Sequence, residues 1–201
     1  MDRVLSIQRK GGVATVKCLS GDVLRVPSAL FLERRVRAGE PIDPAAYRLF
    51  MAQRGYPHAL ESAMKFLSLR ERSEKEVLTR LRRSRYDEET IRRVLDTLRG
   101  HGLLSDGRFA EAWTQSRSRK YGRNRIAQEL KSKGVQSGEI GRALEGLPEE
   151  EEYQRALQQG KKLARRFQRD AKKIFQALIR RGYGFSLARK AAEEAARDDS
   201  R

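Results

Sequence analysis

Apolar and polar positions follow two different periods along this chain. Over residues 1–56 the apolar residues fall in short runs rich in β-branched side chains, Arg3–Gln8, Val13–Leu19 and Val23–Val26. Lys10-Gly11-Gly12 and Ser20-Gly21-Asp22 break these runs. Glycine supplies the positive φ that tight hairpin turns need, so the pattern predicts a small antiparallel meander. Ser28 is placed to cap a short helix over Ala29–Arg37, which Gly39 closes. Asp43-Pro44 pairs an N-cap with proline at the first helical position and opens a helix to about Arg54, with Gly55 as its stop. Tyr56-Pro57 interrupts continuation and marks a boundary. This first segment is marginal alone and is expected to lean on the first helical module.

From His58 onward the apolar period becomes helical. The spacing predicts helices over Ala59–Arg70, Glu74–Ser84 and Asp87–His101, then Asp106–Lys120, Arg123–Lys133 and Ser137–Leu147, then Glu149–Gln168, Ala171–Arg181 and Phe185–Arg197. Ser73 with Glu76 reads as a capping box, and Asp87 and Ser137 as caps. Gly122, Gly134, Gly182 and Gly184 mark corners. Pro148 is followed by Glu149–Glu152, four carboxylates in a first turn, where the macrodipole favours them. The polar tail Asp198–Arg201 is expected to fray.

These helices recur as a unit. Ser73–Leu98, Gly122–Leu147 and Asp170–Ala195 are each 26 residues long and align without a gap, at offsets of 49 and 48. Eight columns are apolar in all three copies: Val77/Ile126/Ile174, Leu78/Ala127/Phe175, Leu81/Leu130/Leu178, Tyr86/Val135/Tyr183, Ile91/Ile140/Ala188, Val94/Ala143/Ala191, Leu95/Leu144/Ala192 and Leu98/Leu147/Ala195. At 38% apolar composition, chance gives about one or two such columns. A helix of three turns with a narrow apolar stripe is unstable alone, and three together bury their stripes. The expected fold is mainly α: three tandem three-helix bundle repeats in an elongated curved array, preceded by a small antiparallel β-meander with short helices. The expected segments are 1–56 for the extension, then 57–104, 105–148 and 149–201 for the repeats. Such an array presents a surface rather than one buried pocket.

The charge says what that surface meets. A net charge of +17 implies an anionic partner: nucleic acid, an acidic protein surface or an anionic membrane. No apolar run reaches membrane-spanning length and Met1–Lys10 lacks a signal-peptide pattern. Cys18 is the only cysteine, which fits a reducing, cytoplasmic location. Arg117, Arg119, Lys120, Arg123, Arg125, Lys131 and Lys133 fall within 17 residues that hold one acid, Glu129. Arg155, Lys161, Lys162, Arg165, Arg166, Arg169, Lys172 and Lys173 follow, opposed only by Asp170. Lys162, Arg165 and Arg169 step by three and four opposite the apolar stripe Leu157, Gly160, Leu163/Ala164 and Phe167, a row suited to a phosphate backbone or an acidic groove. The plainer reading is a solvated face kept charged for solubility. The runs are nearly unopposed, which favours contact.

Signs of catalysis are lacking. Gly11-Gly12 lacks the Lys-Ser/Thr of a phosphate loop. His58 and His101 have no ligand-spaced companions, so neither metal nor cofactor is expected. His101 before Gly102 reads as a helix end, Cys18 as a core residue of a strand, and Phe109/Trp113 at i, i+4 as core. The third helices carry Glu88, Glu89, Glu139, Glu145, Glu193 and Glu194, which disfavours base reading in a major groove. Tyr121, between Lys120 and Arg123, is the one candidate ring for base stacking.

Three runs resemble a known family: Leu69-x-x-Arg72-Ser73-x-x-Glu76-Val77, then Leu98-x-x-x-Gly102-Leu103-Leu104-x-Asp106-x-x-Phe109-Ala110, then Gly122 with Leu130-x-x-Lys133-Gly134-Val135. They are similar to the RecX family of recombinase regulators over residues 58–195, and the β-bearing segment resembles the extension of its longer members. Ser105 departs from the family, which usually has a second Asp there, and Asp106 remains to cap the helix. The resemblance implies three tandem three-helix bundles and a non-enzymatic, monomeric modulator that binds RecA recombinase on single-stranded DNA. It further implies a chain lying along the filament groove that suppresses ATPase, strand exchange and coprotease activities, and so modulates recombination and the SOS response. The basic clusters are our own assignment for contact with DNA or recombinase. The alternative is a general electrostatic DNA-binding protein without recombinase specificity.

Overall fold

The computed structural model describes residues Met1–Arg197, and the tail Asp198–Arg201 lies outside the described residues. The chain forms two compact units, Met1–Ser105 and the residues from Asp106 onward.

The first unit opens with β1 (Asp2–Lys10), β2 (Val13–Cys18) and β3 (Val23–Pro27), joined by turns in which Gly11, Gly12 and Gly21 take positive φ. A fourth strand, β4 (Pro41–Ile42), completes an antiparallel sheet of order β3-β2-β1-β4, with Asp2 opposite Ile42 and Arg3 opposite Pro41. Two residues are too few to show a period, and proline is tolerated because the strand is an edge. Val4, Ala14, Val16, Cys18, Leu24 and Val26 point inward and are buried. The first helix, α1 (Ser28–Glu33), is shorter than expected, and Ser28 lies inside its first turn behind Pro27, with no side-chain cap.

The larger correction is α2, which runs from Pro44 to Leu67 straight through Gly55 and Pro57. Asp43 caps it as expected, accepting from the Ala45 and Ala46 amides at 2.9 and 3.1 Å. Tyr47, Met51, Gly55, Ala59 and Ala63 make an unbroken stripe at steps of four, buried except for the half-buried Met51. Burial along that stripe outweighs the proline. Gln53, whose carbonyl loses its donor to the Pro57 ring, is exposed, as is Pro57 itself, so water can take the vacant bond. At Gly55 a Cβ would meet Thr90 Oγ1 at 3.3 Å, so glycine leaves room there for the Thr90 side chain. Pro57→Ala is expected to stabilise this unit by about 1–3 kcal/mol, because an exposed interior proline is replaced by the best helix former. A rise in thermal midpoint checks this, and a fall would mean that the ring itself packs.

The second half of α2 forms a bundle with α3 (Glu74–Arg83) and α4 (Glu88–Gly100). Sheet and bundle share one continuous core from Val4 to Leu104, so the extension does lean on the first bundle. The Ser73–Glu76 capping box forms, with the Glu76 amide 3.2 Å from Ser73 Oγ. Asp87 accepts the Thr90 amide at 2.8 Å. His101 is the C-cap of α4, followed by Gly102 at φ 65°.

The second unit holds two more bundles. One comprises α5 (Asp106–Ser118), α6 (Arg123–Ser132) and α7 (Ser137–Glu145); the other comprises α8 (Glu149–Arg166), α9 (Ala171–Arg180) and α10 (Phe185–Arg197). Asp106 is the first residue inside α5 rather than its cap, and its charge still suits that end. Gln136, not Ser137, is the N-cap of α7. Each bundle has its own core, around Ile126 and Leu130 in one and Ile174 and Leu178 in the other.

The backbone repeats as the sequence does. The first column of the repeat, Ser73, Gly122 and Asp170, is the N-cap of α3, α6 and α9 in turn. The thirteenth, Arg85, Gly134 and Gly182, is left-handed every time, at φ 66°, 87° and 85°. None of the residues in the eight apolar columns is exposed.

Candidate functional site

The basic residues divide by what they touch. In the second bundle Glu129, the lone acid of its stretch, acts as a hub. Arg117 grips it through Nε at 2.8 Å and Nη2 at 2.6 Å, Trp113 Nε1 donates at 3.0 Å, and Arg125 Nε approaches at 3.4 Å. The Arg117 guanidinium beside it is the main cause holding the Glu129 carboxyl below the usual range. Arg117 and Arg125 also lie over the Tyr121 ring, at 4.5 and 4.1 Å from its centroid. Tyr121, expected as a stacking platform, is therefore already covered by two cations. Lys133 sits over Trp113 at 4.4 Å.

A carboxyl whose pKa falls on folding adds stability above its unfolded pKa and loses it as pH drops through the folded value. Glu129 is such a group, so the second bundle should lose its contribution in acid, below the ordinary glutamate range. Glu129→Gln should cost about 1–3 kcal/mol at neutral pH, through weakened charge-assisted bonds, and should flatten the acid limb. Unfolding midpoints against pH check both effects.

Arg123 is also spent internally. Its Nε meets Glu152 at 2.7 Å, its backbone amide donates to the same carboxylate at 2.9 Å, and its Nη2 reaches the Leu147 carbonyl at 3.0 Å. Glu152 is 3% exposed while the Arg123 side chain stays 40% exposed, so this ion pair is a half-buried pin between the second and third bundles. Arg155 turns inward and pairs with Glu151 at 3.0 Å. Lys173 pairs with Asp170 at 3.3 Å.

What remains is a set facing solvent. Arg119, Lys120, Lys131, Lys162, Arg165, Arg166 and Lys172 are exposed and make no ion pair among the described residues, and Lys161 and Arg169 are also exposed. The helical row expected through Arg169 is shorter, because α8 ends at Arg166 and Gln168 and Arg169 turn at φ 50° and 61°. Arg166 takes the place of Arg169 on the helix. Four exposed cations, Lys161, Lys162, Arg165 and Arg166, thus lie in the last turns of α8, where the macrodipole favours them.

Local patterning missed a seam inside the second unit. The Gly122 amide donates to the Arg181 carbonyl at 2.9 Å and the Asn124 amide to the Gly182 carbonyl at 3.1 Å. A Cβ on Gly122 would lie 2.4 Å from the Gly182 carbonyl oxygen, so the two backbones meet with no room for a side chain. Gln159, 8% exposed, donates to the Arg119 carbonyl at 3.2 Å and accepts from Arg181 Nη1. Arg180 and Arg181 therefore join the basic surface, although they stand outside both basic runs of the sequence. Their only sequence signal is a cation pair before a glycine corner.

No group of three potential metal-ligating side chains lies together among the described residues. No described helix is long and apolar enough to cross a membrane.

Comparison with known proteins places this architecture. The family model described as RecX, first three-helix domain, matches residues 59–98, and the one described as RecX, second three-helix domain, matches 105–144. The regulatory protein RecX of Halorhodospira halophila is 37% identical over 150 residues, covering 70% of this chain and 90% of its own. That of Mycobacterium marinum is 36% identical over 133 residues, covering 62% and 77%. A crystal structure of regulatory protein RecX matches 93% of this chain and 97% of its own with a TM-score of 0.64 at 22% identity, a likeness of fold. RecX from Lactobacillus salivarius gives the same TM-score over 70% of this chain. Three-helix domains matched in order, together with relatives 36–37% identical over 77–90% of their own length, mean that this protein belongs to the RecX family.

Proposed function

We propose that this chain is a non-enzymatic regulator of a RecA recombinase, acting in the cytoplasm as a monomer that binds the recombinase filament on single-stranded DNA. Bound there, it inhibits ATP hydrolysis, strand exchange and coprotease activity, and so tunes recombination and the SOS response. The observation that carries this reading is the set of exposed cations without ion-pair partners, on a chain whose relatives are named regulatory proteins. A succession of small bundles supports it, since stacked repeats offer extended surface to a partner. Charge alone also accommodates a general DNA binder, and stoichiometry distinguishes the two.

The test is RecA ATP hydrolysis on excess single-stranded DNA, titrated with this protein. Inhibition well below one regulator per recombinase protomer means action on the filament. Inhibition only once the protein suffices to cover the DNA means competition for phosphates, and the general binder replaces the regulator.

A further inference from the structure

We infer that the second and third bundles form one rigid clamp for the backbone of single-stranded nucleic acid, with Gln159 and the Gly122–Gly182 contact as positioning elements. This rests on the proposed function only in that the ligand includes DNA. It adds that the two basic clusters act as one site, set by a seam that carries no ligand contact itself.

Arg155, Gln159, Lys162 and Arg166 follow at steps of four, three and four, so they lie along one edge of α8. Gln159 marks where that edge runs, because its amide bridges the Arg119 carbonyl and the Arg181 guanidinium. Arg119 and Lys120, exposed in the turn just after α5, therefore border the same seam as Lys162 and Arg166. Arg180 and Arg181 close α9 beside it, and Arg125 Nη1 reaches the Arg180 carbonyl at 3.4 Å. The carboxylate at the seam, Glu152, is buried and matched to Arg123, so it offers little repulsion to an arriving phosphate. Lys162 and Arg166 are spaced by about 6 Å along the helix axis, with Arg119 and Lys120 across the joint.

The seam is built for rigidity. Two backbone hydrogen bonds, a glycine pair in van der Waals contact, a half-buried ion pair and a bridging amide cross it. Independent bundles on a flexible linker need none of these. Fixing two cation clusters relative to each other removes the ordering cost of engaging both on one strand, and each phosphate neutralised releases counterions.

The test is binding of the full chain to a labelled oligothymidine, followed by anisotropy across a salt series without recombinase. It stays informative even where the recombinase reading fails. Arg119→Glu with Lys120→Glu, and separately Lys162→Glu with Arg166→Glu, should each flatten the slope of log affinity against log salt by about 1.4, two phosphates at ~0.7 each. These side chains are exposed, so folding is not at stake. Gln159→Ala changes no charge and should weaken binding about tenfold while helix content is unchanged. In that background the Arg119/Lys120 reversal should matter less, because a loosened seam no longer holds both clusters on one strand. Additive losses from the two reversals, with no effect of Gln159→Ala, would overturn the clamp and leave two independent patches. Unchanged slopes would overturn the phosphate contact itself and point to an acidic protein surface.

Discussion

Leu130→Asp unfolds the second bundle. Leu130 is fully buried, at the centre of a core it shares with Ile126, Phe109 and Val135. A carboxylate there is surrounded by apolar side chains, and burying it unpaired costs several kcal/mol, on the order of the whole stability of a domain this small. Protonation would lessen the penalty without restoring the lost packing, itself worth about 2–5 kcal/mol. Leu81 and Leu178 occupy the same column of the repeat and are equally buried, so Leu81→Asp and Leu178→Asp should damage the first and third bundles in the same way. The measurement is far-ultraviolet circular dichroism with thermal unfolding. Each variant should lose the helix signal of its own bundle, and wild-type melting of all three would refute the alignment.

That column shows what was legible in the sequence. Apolar periodicity is a local property, and wherever a helix buries one stripe the pattern reports it, so the helices from α3 onward lie within a few residues of their expected bounds. The corner at Arg85, Gly134 and Gly182 is harder to see, because arginine in the first copy hides a left-handed position that glycine advertises in the others. Pro57 misleads because helix propensity is local while the stripe from Tyr47 to Ala63 is stabilised by tertiary packing. Strand β4 escapes because two residues carry no period. The basic surface is visible as composition, but which cations reach solvent depends on partners far along the chain. Arg123 looks like part of a binding run, yet its fate is set by Glu152, 29 residues on. Gln159 shows no functional pattern at all, and its role is set by contacts 22 and 40 residues away.

Changing Lys162, Arg165 and Arg166 together to Glu is expected to abolish regulation with the fold intact. All three are exposed and none makes an ion pair among the described residues, so their loss removes no internal contact beyond the Arg166 stack on Phe167 at 5.7 Å. Three carboxylates at the end of α8 oppose the macrodipole, a local cost of about 1–2 kcal/mol. Against an anionic ligand the effect is far larger. Three charges reverse sign, lowering the net charge by about six units, and three lost phosphate contacts alone lower the salt slope by about 2, a hundredfold in affinity for each tenfold change in salt. The amount of protein needed to halve RecA ATP hydrolysis should rise by about a hundredfold. Unaltered inhibition at wild-type helix content would show that this face of α8 meets neither DNA nor recombinase.

The central claim is specificity for the filament over bare DNA. Its most direct test compares binding of the labelled protein to one single strand in three states: bare, coated with RecA and a non-hydrolysable ATP analogue, and coated with a single-strand-binding protein. At about 200 mM salt, where non-specific phosphate contacts are weakened, the regulator should bind the RecA-coated strand tightest and the strand under single-strand-binding protein least. Equal or weaker binding to the RecA-coated strand would contradict the account and leave a basic protein that follows phosphate wherever it is uncovered.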